Sequence, residues 1–282
     1  MPHRPLPRTE SDTLVHDATA GMPRLLEIMA RLRAADGCAW DIEQTFASIA
    51  PYTLEEAHEV VDAIERQAWD ELKGELGDLL LQSVFHAQIA EEEGLFAFED
   101  VVASISDKMV ARHPHIFGDD TNPLTAEEQT LAWERLKAAE RAAKAEPRTL
   151  DGVAVALPAL TRAVKLQKRA ARVGFDWPST EEVIDKITEE ARELVEARRS
   201  LTEAEVTEEF GDLLFVMANL ARHLSVDPEA ALRAANAKFT RRFQRIEDWL
   251  AEAGRSPGQS DLAEMDALWN RAKAEEKAAQ QG

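Results

Sequence analysis

One acidic pattern occurs twice in this chain: Glu-Glu-x-x-Glu, then Glu-x-x-Asp sixteen residues further on. Glu55, Glu56 and Glu59 lead to Glu75 and Asp78. Glu189, Glu190 and Glu193 lead to Glu209 and Asp212, each 134 positions beyond its counterpart. Acids three apart share one face of a helix. Two such helices packed side by side bring four carboxylates to one point, an arrangement that suits a hard divalent cation such as magnesium. The duplication predicts two related units, each built from helices.

Other residues repeat with nearly the same offset. Pro23 pairs with Pro158, Trp40-Asp41 with Phe175-Asp176, and Lys108 and Arg112 with Lys238 and Arg242. Trp133, Lys137 and Glu140 pair with Trp269, Lys273 and Glu276. Sustained period-two alternation is absent and only one tyrosine is present, while apolar residues recur at helical spacing. The fold class is therefore all-α, two tandem repeats of a small helical bundle. The division expected is a flexible tail over 1–20, an N-terminal unit over 21–147, a C-terminal unit over 148–277 and a tail over 278–282. Within the first unit, helices are expected to start near Pro23 and at Pro51-Tyr52-Thr53. Further helices are expected over 71–92, 98–112 and about 126–144.

The net charge of −20 argues against a general nucleic-acid-binding role, since phosphate backbones would be repelled. Cys38 is the single cysteine, which excludes an internal disulfide and a thiolate metal cluster and points to the cytoplasm. No apolar run approaches the roughly 20 residues needed to span a bilayer. The basic, Pro-rich start lacks the apolar core of a signal peptide.

The acids read as more than surface charge. From Glu71 to Gln88, the residues Leu72, Leu76, Leu79, Leu80, Leu81, Val84 and Phe85 surround one acidic stripe of Glu71, Glu75 and Asp78. The second copy lines up Glu205, Glu209 and Asp212 ahead of Leu213 to Met217. A helix apolar on nearly every side is expected to be buried, and buried carboxylates need partners. Cations follow: Lys186 stands one turn before Glu190, and Lys238, Arg241 and Arg242 lie together on NAKFTRRF. Lysine as a point charge and arginine as a fork suit a polyphosphate, although a basic helix end also answers the helix dipole. There is no Gly-rich Walker loop, so phosphate binding through a P-loop is excluded.

The segments PYTLEEAHEVVDAI, GELGDLLLQSVFHAQ, SDKMVARHPHIFGD, RVGFDW, EEFGDLLF and NAKFTRRF resemble the MazG family of nucleoside triphosphate pyrophosphohydrolases. The resemblance spans about residues 21 to 277, in both halves and in the same order. It implies an all-α, dimeric, magnesium-dependent enzyme, with Mn²⁺ as a substitute, that converts nucleoside triphosphates to monophosphate and pyrophosphate with broad base tolerance. It implies metal ligands at Glu190, Glu193, Glu209 and Asp212, with a lower-ranked N-terminal copy at Glu56, Glu59, Glu75 and Asp78. Catalytic roles would fall on Glu189, Glu193 and Lys238, with Glu189 and Glu193 both open as the base. Nucleotide contacts would fall on Lys186, Glu189, Glu190, Glu205, Glu208, Lys238, Arg241, Arg242 and Trp269.

Catalysis is expected in the second half. There, Lys186 and Glu208 occupy positions held by Tyr52 and Gly74 in the first. Two other classes compete. A di-iron bundle needs paired Glu-x-x-His motifs, but His58 is matched by Arg192. A non-catalytic helical nucleotide-binding protein would bind without turnover. His113 and His115 read as a helix-ending turn, and His86 and His223 as core or interface histidines. Cys38 has no base partner that would make it a nucleophile.

Overall fold

The computed structural model describes residues 6–118, 125, 128, 129, 132, 133, 148–200 and 202–279. All regular structure among them is helical. The chain divides into two compact units, residues 1–137 and 138–282. The expected boundary stretch over 138–147, and most of the helix expected over 126–144, lie outside the described residues.

In the first unit, α1 (Arg8–His16) and α2 (Gly21–Leu32) precede a short α3 (Ala39–Glu43). The long helices α4 (Phe46–Glu65) and α5 (Trp69–Glu92) pack along each other, and α2 and α6 (Phe98–Arg112) lie against α5. A single turn, α7 (Pro114–Phe117), follows. Gly94 ends the α5 region with φ at +70°, a backbone state that glycine adopts without penalty. The core joins Met29 from α2, Ile49 from α4, and Val84, Phe85 and Ile89 from α5. Each such buried side chain contributes about 1.5–3 kcal/mol.

Two expectations for this unit are corrected. Within the expected tail over 1–20, residues 6–20 are not simply a tail. The helix α1 packs on α2, Ser11 is buried, Arg31 reaches Asp12 at 2.6 Å, Arg24 donates to the Val15 carbonyl at 2.8 Å, and the Leu6 amide donates to buried Glu27 at 3.2 Å. Nor does Pro51 open α4. The helix begins at Phe46, where Thr45 and Ser48 exchange side-chain and backbone hydrogen bonds of 2.9 and 3.2 Å. That reciprocal cap satisfies end groups earlier than the proline signal, and Pro51 sits inside the helix.

The second unit repeats the plan with α8 (Ala159–Ala171), α9 (Thr180–Ser200), α10 (Glu203–His223), α11 (Pro228–Glu252) and α12 (Leu262–Ala279). Thus α9 packs along α10 as α4 does along α5, α8 lies against α10 and α11, and α11 pairs with α12. The tail expected from residue 278 begins inside α12, which runs to Ala279. Val183, Val216, Ala218, Ile246, Trp249 and Leu250 are buried. The Trp249 ring is flanked by the guanidinium groups of Arg271 at 4.1 Å and Arg245 at 4.8 Å, attracted to its face. Buried Gln167 on α8 donates to the Phe215 carbonyl at 2.7 Å and so ties α8 to α10.

The expectation that α5 and α10 are enclosed on nearly every side does not hold within one chain. Val84, Phe85 and Ile89 are buried. By contrast, Leu76 is 50% exposed, and Phe210, Leu214, Phe215 and Met217 are 51%, 42%, 40% and 46% exposed. A sequence pattern records that a surface is apolar but not what covers it. Here both helices keep an apolar flank that their own unit leaves open.

Candidate metal and nucleotide site

The antiparallel pairing of α9 and α10 places the two acid motifs of the second copy face to face. One carboxylate oxygen from each of Glu190, Glu193 and Glu209 lies within 4.8 Å of the others. Glu190 is buried (5% exposed), Glu209 is half-buried, and Glu193 and Asp212 are exposed. Asp212 stands one turn beyond Glu209 and still acts on it electrostatically. The picture of a fully buried quartet is therefore corrected to a partly open cluster with one deeply seated member.

Desolvation and then like charge perturb this cluster. Partial burial, followed by Glu193, Glu190, Asp212 and Glu208, holds the Glu209 carboxyl above the usual carboxylate range. One cation within the described chain answers this charge. Lys186 reaches Glu190 at 2.7 Å and Glu189 at 2.9 Å. Those carboxylates hold the ammonium well above the ordinary lysine range.

The first unit repeats the cluster with a different membership. Oxygens of Glu56, Glu75 and Asp78 lie within 4.8 Å of one another. Glu59 touches the group through Glu75. Burial and the surrounding acids raise Glu56, and Glu75 is raised in the same way. Tyr52 occupies the lysine's place and lies edge-on to Trp40 at 6.2 Å. Arg66, at the end of α4, is engaged by Asp62 at 2.7 Å and Glu71 at 2.5 Å.

Both clusters offer only carboxylate oxygens, at mutual distances one ion can bridge, and the C-terminal one carries more negative charge than Lys186 offsets. Such a donor set fits a hard divalent cation and does not fit zinc held by sulfur or nitrogen.

The remaining expected residues separate into distinct groups. Glu205 is engaged at the start of α10: its carboxylate accepts from the Thr202 amide at 2.8 Å and the Thr202 hydroxyl at 2.7 Å. These bonds hold its carboxyl below the usual range and stabilise the helix that carries Glu209. Glu208 is exposed and perturbs Glu209. Lys238, Arg241, Arg242 and Trp269 lie on α11 and α12. Arg241 and Arg242 both donate to Glu276 at 2.8 Å, Arg242 lies 5.4 Å from the Trp269 ring, and Phe239 lies 5.3 Å from it. Lys238 is exposed one turn from Arg242. The contacts of this basic group run to Glu276 and Trp269, not to the carboxylate cluster.

Two features escaped sequence reasoning. Glu276 was legible only as a repeat partner of Glu140, and its salt links span more than thirty positions. Asp176, paired with Arg222 and 3.3 Å from His223, ties the loop after α8 to the end of α10. No local spacing announces either link.

The MazG nucleotide pyrophosphohydrolase domain matches residues 44–117 and 179–246, the two stretches that contain the clusters. The nucleoside triphosphate pyrophosphohydrolase of Escherichia coli K12 is 52% identical over 256 residues, covering 90% of this chain and 97% of that protein. The nucleoside triphosphate pyrophosphohydrolase/pyrophosphatase MazG of Thermotoga maritima is 44% identical over 249 residues, 88% of this chain and 94% of its own length. Bacillus subtilis YabN, described as uncharacterized, is 42% identical over 89% of this chain and 51% of its own. With both acid-bearing segments matched and the length of two relatives almost fully covered, this chain is a member of the MazG nucleotide pyrophosphohydrolase family.

Proposed function

We propose that this protein hydrolyses nucleoside triphosphates to the monophosphate and pyrophosphate, with broad base tolerance, using Mg²⁺ or, as a substitute, Mn²⁺ in its C-terminal unit. The observation that carries this reading is the convergence of Glu190, Glu193 and Glu209 beside Lys186, in a chain whose relatives bear that activity in their names. Bound there, the metal would supply Lewis acidity at the triphosphate and a water of lowered pKa.

The chain's own residues do the rest. Glu190, Glu193, Glu209 and Asp212 hold the ion. Glu189 or Glu193 accepts the proton of the attacking water, whose oxygen bonds to the α-phosphorus as the bond to the pyrophosphate oxygen breaks. Lys186, Lys238, Arg241 and Arg242 offset charge on the transferring group and on departing pyrophosphate, the main task in phosphoryl transfer. For the two arginines this requires an exchange of Glu276 for phosphate. Trp269 offers a ring for base stacking, which every base accepts. The Glu205 carboxylate is engaged by Thr202 at the start of α10, and Glu208 beside it stands exposed to the nucleotide.

The N-terminal cluster of Glu56, Glu59, Glu75 and Asp78 holds a cation without turnover, because Tyr52 replaces the lysine. The open apolar flanks of α5 and α10 support a homodimer. We read the protein as cytoplasmic and without stable nucleic-acid partners. Among the described residues no helix is long and apolar enough to cross a membrane.

The test is a panel of triphosphates incubated with Mg²⁺, with pyrophosphate separated from orthophosphate. Pyrophosphate and monophosphate in equal amounts are expected, and Glu209→Gln is expected to lose at least about 100-fold in rate with helicity intact. Orthophosphate as the sole inorganic product, or full activity in the variant, overturns the assignment.

A further inference from the structure

The cation nearest the C-terminal cluster belongs to the protein. Lys186 extends its ammonium to 2.7 Å from Glu190, the one deeply buried acid of the group, and to 2.9 Å from Glu189. Glu190 is also one of the three carboxylates whose oxygens converge within 4.8 Å. An ammonium and a divalent ion served by the same recessed carboxylate repel each other, the more so the less water lies between them. Lysine is suited to leave. Its charge rides on a flexible four-carbon stem, and the side chain is about one-third exposed. The N-terminal cluster provides an internal comparison: the corresponding position is Tyr52, and Arg66 is committed to Asp62 and Glu71.

We propose that Lys186 is an exchangeable stand-in cation, seated on Glu189 and Glu190 until a divalent ion arrives and then transferred to the triphosphate that accompanies it. The idea rests on the proposed metal-dependent role of the C-terminal unit and adds a sequence of events to it. Metal alone competes with the ammonium and binds weakly. Metal with nucleotide gives the displaced ammonium a new anionic partner and binds well. The site thereby favours the loaded complex over a free ion, a coupling between two ligands carried by one side chain. The N-terminal cluster, with Tyr52 in the lysine's place, takes up metal in one step.

The measurement uses the full chain carrying Glu75→Gln, so that only the C-terminal cluster binds. Free Mn²⁺ is followed by electron paramagnetic resonance, with Mg²⁺ as competitor and no nucleotide present. Adding Lys186→Gln is expected to raise affinity for the metal alone about fivefold or more. The same change is expected to lower affinity for a non-hydrolysable triphosphate measured with saturating Mg²⁺. Lys186→Arg, which keeps the charge, is expected to match the parent in the metal titration.

Unchanged or weaker metal binding in Lys186→Gln overturns the stand-in role. Should Lys186→Gln lose its helicity, the reverse graft decides: Tyr52→Lys beside Glu209→Gln is expected to weaken metal binding at the N-terminal cluster about fivefold, and no change there overturns the idea. A separate outcome marks failure of the underlying reading: metal binding at the C-terminal unit that survives Glu209→Gln in the Glu75→Gln background. Loss of metal in that variant, with no response to Lys186→Gln, sinks the stand-in role alone.

Discussion

At the scale of single residues, proton and metal compete for the same oxygens. Glu209 is held above the ordinary carboxylate range by burial and its acidic neighbours, and a divalent ion needs it ionised. A carboxyl whose folded pKa is raised contributes stability when protonated and loses that contribution as pH climbs through the raised value. The metal-free site is thus eased by mild acid, while the metal-bound site is weakened by it. The rise in thermal midpoint produced by saturating Mg²⁺ is therefore expected to shrink as pH falls from 7 toward about 5. A calorimetric series across that range checks this, and a constant or growing shift contradicts it. Much of the cluster was legible in the sequence because i, i+3 acids on two neighbouring helices leave few alternatives. The resemblance implies a nucleotide contact at Glu205; Thr202-x-x-Glu205 also spells a capping box, and in the folded chain its carboxylate accepts from the Thr202 amide and hydroxyl. The engagement of Arg241 and Arg242 by Glu276 was not legible, since it depends on how α11 meets α12.

At the scale of elements, the helix spans followed from periodicity where punctuation was strong. Phe98–Arg112 matches its expected bounds, with His113-Pro114 ending it. The start of α4 did not follow from Pro51, because the reciprocal cap of Thr45 and Ser48 sets it at Phe46 and leaves the proline inside the helix. Position along a helix matters as much as composition. Phe85 and Val84 are buried in the core with Met29 of α2 and Ile49 of α4, whereas Leu76, two turns earlier, is half exposed. Phe85→Ala is expected to cost about 3–5 kcal/mol by removing a ring from a filled core. Leu76→Ala is expected to cost under about 1 kcal/mol in a single chain. Denaturant midpoints for the two variants measure the contrast, and equal losses would contradict the described packing.

At the scale of the molecule, duplication has produced two units with one layout and different charge balance. Each leaves apolar flanks beside its cluster, which the sequence could flag as apolar but not place inside or outside. If those flanks meet in a dimer, a charge there is costly. Wild-type protein is expected to elute as a dimer under light scattering. Leu80→Asp and Met217→Asp, tested singly, should show which unit makes the contact by shifting the population to monomer. A monomeric wild type contradicts the dimer. A last consequence concerns where the polypeptide may safely be cut. Because α1 clasps α2 through Arg31, Arg24 and the Leu6 amide, a version shortened to residue 21 retains every acidic ligand yet strips a supporting wall. Damage seen in such a truncate would report a lost brace, not lost chemistry.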